Sequence, residues 1–130
     1  NINTHHHMYT YDGECLYCIT NDGLVKVDDS GKAELIYESN GLQLINIVDK
    51  TLVVQDSNTI YTMSLNGKKV KKLYTMDMTG EIIFEVVGDK VLILARGMGD
   101  SSITYEMISL DGKRQLLDTN DISDGIGFEI

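Results

Sequence analysis

One pattern of segments is written three times along the chain, and this repetition limits the folds open to it more than any other feature. Each copy begins with a short alternating segment, 9–11, 45–47 or 84–86. A tight polar turn follows, Asp12-Gly13, Asp49-Lys50 or Gly88-Asp89. Then comes a longer apolar run around Leu16, Leu52 and Leu92, a variable loop, and a second alternating segment. That segment enters Ser30-Gly31-Lys32, Asn66-Gly67-Lys68 or Asp111-Gly112-Lys113, and a last apolar stretch closes the copy at Leu35, Leu73 and Leu116. Gly31 and Gly67 are 36 residues apart and Gly67 and Gly112 are 45 apart, the surplus falling mainly in an insertion over 96–102.

Within each copy the hydrophobic period is two. Tyr61, Met63 and Leu65 share one face of a strand, as do Ile103, Tyr105 and Met107. No segment carries the 3.6-residue spacing and end caps of a helix. Asn-Gly and Asp-Gly turns supply the positive φ that tight hairpins need. The expectation is an all-β chain of about three four-stranded antiparallel units. A four-stranded unit of about 40–45 residues is a β-propeller blade. The division reads 1–8 as an N-terminal tail resembling a tag remnant, 9–44, 45–83 and 84–127 as blade-like repeats, and 128–130 as the start of a further strand, comparable with Phe84-Glu85-Val86. Three blades are fewer than the usual four to eight. The unit is therefore expected to be a partial ring from a longer protein, half of a six-bladed ring made by two chains, or a different β structure.

The strings Tyr11-Asp12-Gly13-Glu14-Cys15-Leu16-Tyr17, Val87-Gly88-Asp89-Lys90-Val91-Leu92-Ile93, Leu65-Asn66-Gly67-Lys68 and Leu110-Asp111-Gly112-Lys113 resemble bacterial propeller repeats of the low-density-lipoprotein-receptor-like and TolB-like types. There is no tryptophan, so the Tyr-Trp-Thr-Asp and Trp-Asp signatures of two propeller classes are absent. The resemblance implies a ligand face built from loops that join the second to the third strand of a blade and the fourth strand to the next blade. On this chain those loops hold the binding candidates Asn21, Asp22, Asp56, Asn58, Arg96 and Asp100. The 96–102 insertion, with Gly97 and Gly99, is longer than its counterparts, and longer loops more often carry function.

Composition narrows the partners. The formal charge of −9 repels phosphate backbones and anionic lipid, which argues against nucleic acid. Lys68, Lys69, Lys71 and Lys72 are the local exception, and lysines of this kind guard the edge of a sheet. No apolar run approaches the roughly 20 residues of a membrane-spanning helix, so no membrane insertion is expected. Cys15 and Cys18, three apart in a strand-like segment, should face opposite ways and form neither a disulfide nor a metal pair. His5, His6 and His7 lack the paired spacing of a structural zinc site. The acidic stretch 118–125 lacks oxygen ligands at the spacing a calcium loop needs. No cofactor is expected.

Catalytic motifs are lacking. There is no Gly-x-Ser-x-Gly elbow, no phosphate loop, and no histidine beyond the N-terminal run. The expected function is a non-catalytic binding or scaffolding module whose Asp/Asn/Ser-rich loops meet a protein or glycan, at the cell surface or outside the cell. The competing expectation is part of a hydrolase or lyase with catalytic residues in further blades. A homodimer stays open.

Overall fold

The structure is a computed structural model that describes residues 8–76, 80–97 and 103–117. The chain divides into two compact units, Asn1–Thr75 and Met76–Ile130. The first unit holds two four-stranded antiparallel sheets. The first sheet runs in the order β1 (Tyr9–Tyr11), β2 (Leu16–Thr20), β3 (Gly23–Val27) and β4 (Ala33–Glu38). The second follows as β5 (Leu42–Val48), β6 (Thr51–Asp56), β7 (Thr59–Ser64) and β8 (Lys71–Thr75). The second unit holds β9 (Gly80–Val87), β10 (Lys90–Gly97), β11 (Ile103–Ser109) and β12 (Arg114–Leu117) in the same up-and-down order. Three such sheets are consecutive propeller blades.

The turns explain why the chain reverses where it does. Asp49 and Lys50 both take positive φ, 48° and 62°, which is the backbone of a two-residue hairpin whose twist matches its strands. At the other end of each blade one hydrogen-bonded turn recurs. The amide of Asp28, Ser64 or Ser109 donates to the carbonyl of Lys32, Lys68 or Lys113, with Gly31, Gly67 or Gly112 at positive φ inside the loop. A side chain locks each one, since Lys32, Lys68 and Lys113 donate their amides to Asp28, Asn66 and Asp111.

These turns also set the register. Counting from them, Leu16 pairs with Tyr11 and Val27, Leu52 with Ile47 and Met63, and Val91 with Val86 and Ile108. The counterpart of Leu16 and Leu52 in the third sheet is therefore Val91. The sequence expectation had placed Leu92 there, one residue too far, and Leu92 points to the opposite face. A slip of one residue exchanges the faces of a strand.

The core of the first unit lies between its two sheets. Tyr17 and Leu24 from the first meet Ile45, Leu52, Val54 and Met63 from the second, all at most 2% exposed. At six side chains and roughly 1.5–3 kcal/mol for each large apolar group removed from water, this contact is the main source of cohesion between the two blades. One glycine sets how closely they meet. A Cβ on Gly67, in the β7–β8 turn, would stand 2.1 Å from the carbonyl oxygen of Ile36 in β4, whereas Gly31 and Gly112 have open space around them. Cys15 packs against this core while Cys18 pairs with Tyr9 on the other face of the first sheet, and both are free thiols. The lysines Lys71 and Lys72 lie exposed on β8, the outermost strand of its sheet.

Candidate functional site

Three loops of the first unit converge at one end of its two sheets. The β2–β3 turn carries Asn21 and Asp22, the β6–β7 turn carries Ser57 and Asn58, and the connection from β4 to β5 (39–41) runs between them. The first turn is built by Thr20, whose hydroxyl donates to the Gly23 carbonyl and accepts from the amides of Asp22 and Gly23. With its backbone needs met inside the turn, the side chains of Asn21 and Asp22 stand exposed.

The connection ties the two turns together. The Ser39 amide donates to the Asp22 carbonyl at 3.2 Å, and the Ser57 amide donates to the Gly41 carbonyl at 3.0 Å. Gly41 lies close under the second turn, where a Cβ would stand 2.7 Å from Asp56 Oδ1 and from Ser57 Oγ and would make those two side chains shift. Asp56 is half-buried and engaged, accepting a hydrogen bond from the Tyr37 hydroxyl at 3.2 Å. Tyr37 in turn stacks at a tilt on Tyr61, ring centres 6.4 Å apart. Exposed Asn21, Asp22, Glu38, Asn40 and Asn58 thus sit on a hydrogen-bonded base with aromatic support. Acceptor oxygens predominate, and no lysine or arginine lies within these loops.

Four of the six sequence candidates, Asn21, Asp22, Asp56 and Asn58, therefore belong to loops that the 39–41 connection joins. Arg96 is exposed at the end of β10 in the second unit. Asp100 lies outside the described residues, as do the histidine run and the 118–125 stretch. Thr20 and Gly41 fall in the loops that the sequence marks out, but neither they nor Tyr37, which help build the platform, read there as site residues. A threonine three residues before a glycine, and a glycine just before an alternating strand, were the available signals. Among the described residues no cluster of His, Cys, Asp and Glu is arranged to hold a metal ion.

Electrostatics follow from these contacts. The Tyr37 hydroxyl is pushed up to about 12, first by burial and then by the nearby Asp56 carboxylate. Burial and the hydrogen bond to Asp12 (2.8 Å) likewise push Tyr17 above the ordinary tyrosine range. Asp12 is held below the usual carboxylate value, chiefly by the Cys15 amide. For Tyr37 the sign is fixed: the folded value lies above the unfolded one, near 10. Its stabilising contribution is intact below pH about 10 and is lost as the pH rises toward 12. In an alkaline titration followed by tyrosinate absorbance, Tyr37→Phe should remove a late step near pH 12 and make stability less sensitive to pH between about 10 and 12. An unchanged titration curve would contradict the Tyr37–Asp56 contact.

A second concave feature lies at the turn end of the third sheet, a shallow groove of about 450 Å³ lined by Lys90, Ser109, Asp111, Lys113 and Arg114 among others. Its cations are partly committed. Arg114 makes a two-pronged ion pair with Glu106, and Lys90 pairs with Asp89 at 3.2 Å. None of the residues lining the groove is buried, so the loop platform is the stronger site.

Comparison with known proteins bears on the fold. No family model and no curated protein matches the chain. Among solved structures, the chain is similar to one from a crystal structure of a nidogen/laminin complex, with a TM-score of 0.63 and 15% sequence identity. The match covers 85% of this chain and 46% of the other, so this chain spans less than half the length of that neighbour. With three four-stranded antiparallel sheets in sequence order and a β-propeller as structural neighbour, the fold is that of consecutive β-propeller blades.

Proposed function

We propose that the chain is a non-catalytic binding module that engages a protein through the loop platform of its first unit. The observation carrying this reading is the pair of main-chain bonds from Ser39 to Asp22 and from Ser57 to Gly41. They fix three loops in one arrangement while leaving Asn21, Asp22 and Asn58 exposed. A pre-organised surface loses little entropy on binding, which is where much of an interface's affinity comes from. The surface is acidic and rich in acceptors, so it suits a partner segment presenting lysine, arginine or main-chain N–H donors. The nidogen/laminin structure is that of a protein complex, which agrees with such a role. An extracellular setting is part of the same proposal.

A phage-displayed peptide library selected on the immobilised chain supplies a defined probe. Peptides enriched on the wild type should bind the Asn21→Ala/Asp22→Ala/Asn58→Ala variant at least about tenfold more weakly, the equivalent of about 1.4 kcal/mol. A Glu14→Ala/Asp29→Ala variant, altered at exposed turn positions away from the platform, should stay within about twofold on the same arithmetic. Equal losses in both variants would remove the platform from consideration. Binding to a glycan array, abolished by the triple variant with no peptide enriched, would assign the loops to carbohydrate instead.

A further inference from the structure

The last strands of the three copies differ in one respect that the repeat does not explain. Counted from the turn that precedes each, Lys71 of β8 takes the place of Glu34 in β4 and Gln115 in β12, and Lys72 takes the place of Leu35 and Leu116. Lys68 and Lys71 enclose two residues, Lys69 and Val70, where Lys32 and Glu34, or Lys113 and Gln115, enclose one. The second copy thus carries one residue more here. Lys69 sits at φ 55°, left-handed backbone that a residue with a side chain seldom adopts. Guarding a sheet edge does not call for these lysines, since β4 and β12 are edge strands too and have no such cluster.

Charge balance sets the second sheet apart as well. In the first sheet Lys26 stands opposite Glu34, and in the third Arg114 donates to Glu106 at 2.9 Å. Opposite charges placed across neighbouring strands support a sheet. In the second sheet Lys71 stands opposite Thr62 and Lys72 opposite Tyr61, neither of them a carboxylate. Lys68, Lys69, Lys71 and Lys72 are all exposed, and among the described residues no carboxylate forms an ion pair with any of them. Four like charges in five positions repel one another, and their own sheet offers nothing to offset them. Val70, in their midst, is 43% exposed.

We infer that residues 68–72 dock an acidic segment of another protein, whose carboxylates provide the counter-charges that the first and third sheets provide for themselves. Lys71 and Lys72 are consecutive in a strand and project to opposite faces, so a segment lying along the outer edge of β8 has an ammonium group on either side. The register shift at Ile60 and Tyr61 interrupts the regular ladder of β8, so side chains rather than an added strand make the contact. Val70 gives an apolar side chain of the partner a place among the charges, as in a protein interface; a sulfated polysaccharide has no such group to offer. A long polyanion would also run past these five residues onto a chain whose formal charge is −9. The surface lies at the opposite end of β7 from the loop platform, so the two contacts are separate.

Fluorescence anisotropy tests this with the full 130-residue chain and a short fluorescein-labelled peptide of Asp and Glu with a leucine at its centre. The peptide should bind at low salt, and added salt should weaken it. Lys69→Gln/Lys71→Gln/Lys72→Gln should weaken binding at least about tenfold, and Val70→Ser about threefold. Lys69→Arg/Lys71→Arg/Lys72→Arg keeps the charge and should stay within about threefold of the wild type. Lys32→Gln/Lys113→Gln, at the turn lysines of the other copies, should stay within about twofold. So should the platform variant Asn21→Ala/Asp22→Ala/Asn58→Ala, which separates this contact from the loop platform. Circular dichroism verifies the fold of each variant. A wild type that does not bind the peptide overturns the inference, and so does equal binding by the glutamine variant. Equal losses in the arginine and glutamine variants overturn it too, because charge is then not what binds. Heparin captured by the wild type and lost by the glutamine variant, with no binding of the peptide, overturns it in favour of a sulfated polysaccharide.

Discussion

Leu52→Ala should lower the stability of the chain by roughly 2–5 kcal/mol, whereas Leu116→Ala should change it by less than about 0.5 kcal/mol. Both are leucines on alternating strands of successive copies. Leu52 is at 0% exposure between two sheets, and removing its isobutyl group leaves a cavity walled by Tyr17, Ile45, Val54 and Met63. Those neighbours belong to two sheets pinned by their own hydrogen bonds, so the hole cannot close fully, and lost dispersion adds to the lost transfer energy. Leu116 is 69% exposed on β12, at the edge of its sheet. It has little apolar burial to lose. Urea unfolding followed by far-UV circular dichroism measures both. Equal effects would mean that the sheets of the first unit do not pack through Leu52.

Gly67→Ala should be the more damaging of two changes that look the same in sequence, with Gly112→Ala as its counterpart. Both glycines sit in a polar turn at similar positive φ, 80° and 95°, so both substitutions carry the left-handed penalty of roughly 1–2 kcal/mol. Only Gly67 has another blade above it. Its new Cβ would meet the Ile36 carbonyl oxygen at 2.1 Å, main chain that cannot swing aside as a side chain could. Either the turn lifts away or β4 shifts, and each opens the core between the sheets. Gly67→Ala should therefore cost at least about 1–3 kcal/mol beyond Gly112→Ala, the range for overpacking a tight site. Thermal unfolding of the two variants gives the comparison. Indistinguishable midpoints would show that the two blades do not meet at this turn.

Much of the architecture could be read from residues. Asp49-Lys50, Gly88-Asp89 and the three Gly-Lys turns are short-range signals, and local backbone preference suffices to place them. Alternation at Tyr61, Met63 and Leu65 gave strands for the same local reason. Composition marks the segments holding Asn21, Asp22, Asp56 and Asn58 as turns between apolar runs, and the resemblance to propeller repeats is what singles them out as a ligand face. Less visible was the way those loops hold one another. The Ser39 and Ser57 amides bond carbonyls in distant turns, and main-chain atoms leave no mark on residue identity. Asp56 shows the consequence. Its type suggested a ligand group, while its surroundings engage it with Tyr37.

Leu92 marks where pattern reading slipped. Val91, Leu92 and Ile93 are all apolar and all nearly or fully buried, so hydrophobicity cannot fix which of them matches Leu52. Hydrogen-bond register, counted from the Gly88-Asp89 turn, selects Val91.

By itself the sequence determined three four-stranded antiparallel units, because strand period and turn chemistry are properties of a few neighbouring residues. The tertiary structure decided which face of each unit is covered and which loops meet. Leu16 and Leu52 hold the same place in their repeats, yet one is 36% exposed and the other fully buried. Alternation says only that a strand has two sides, and burial depends on whether a second sheet lies against one of them.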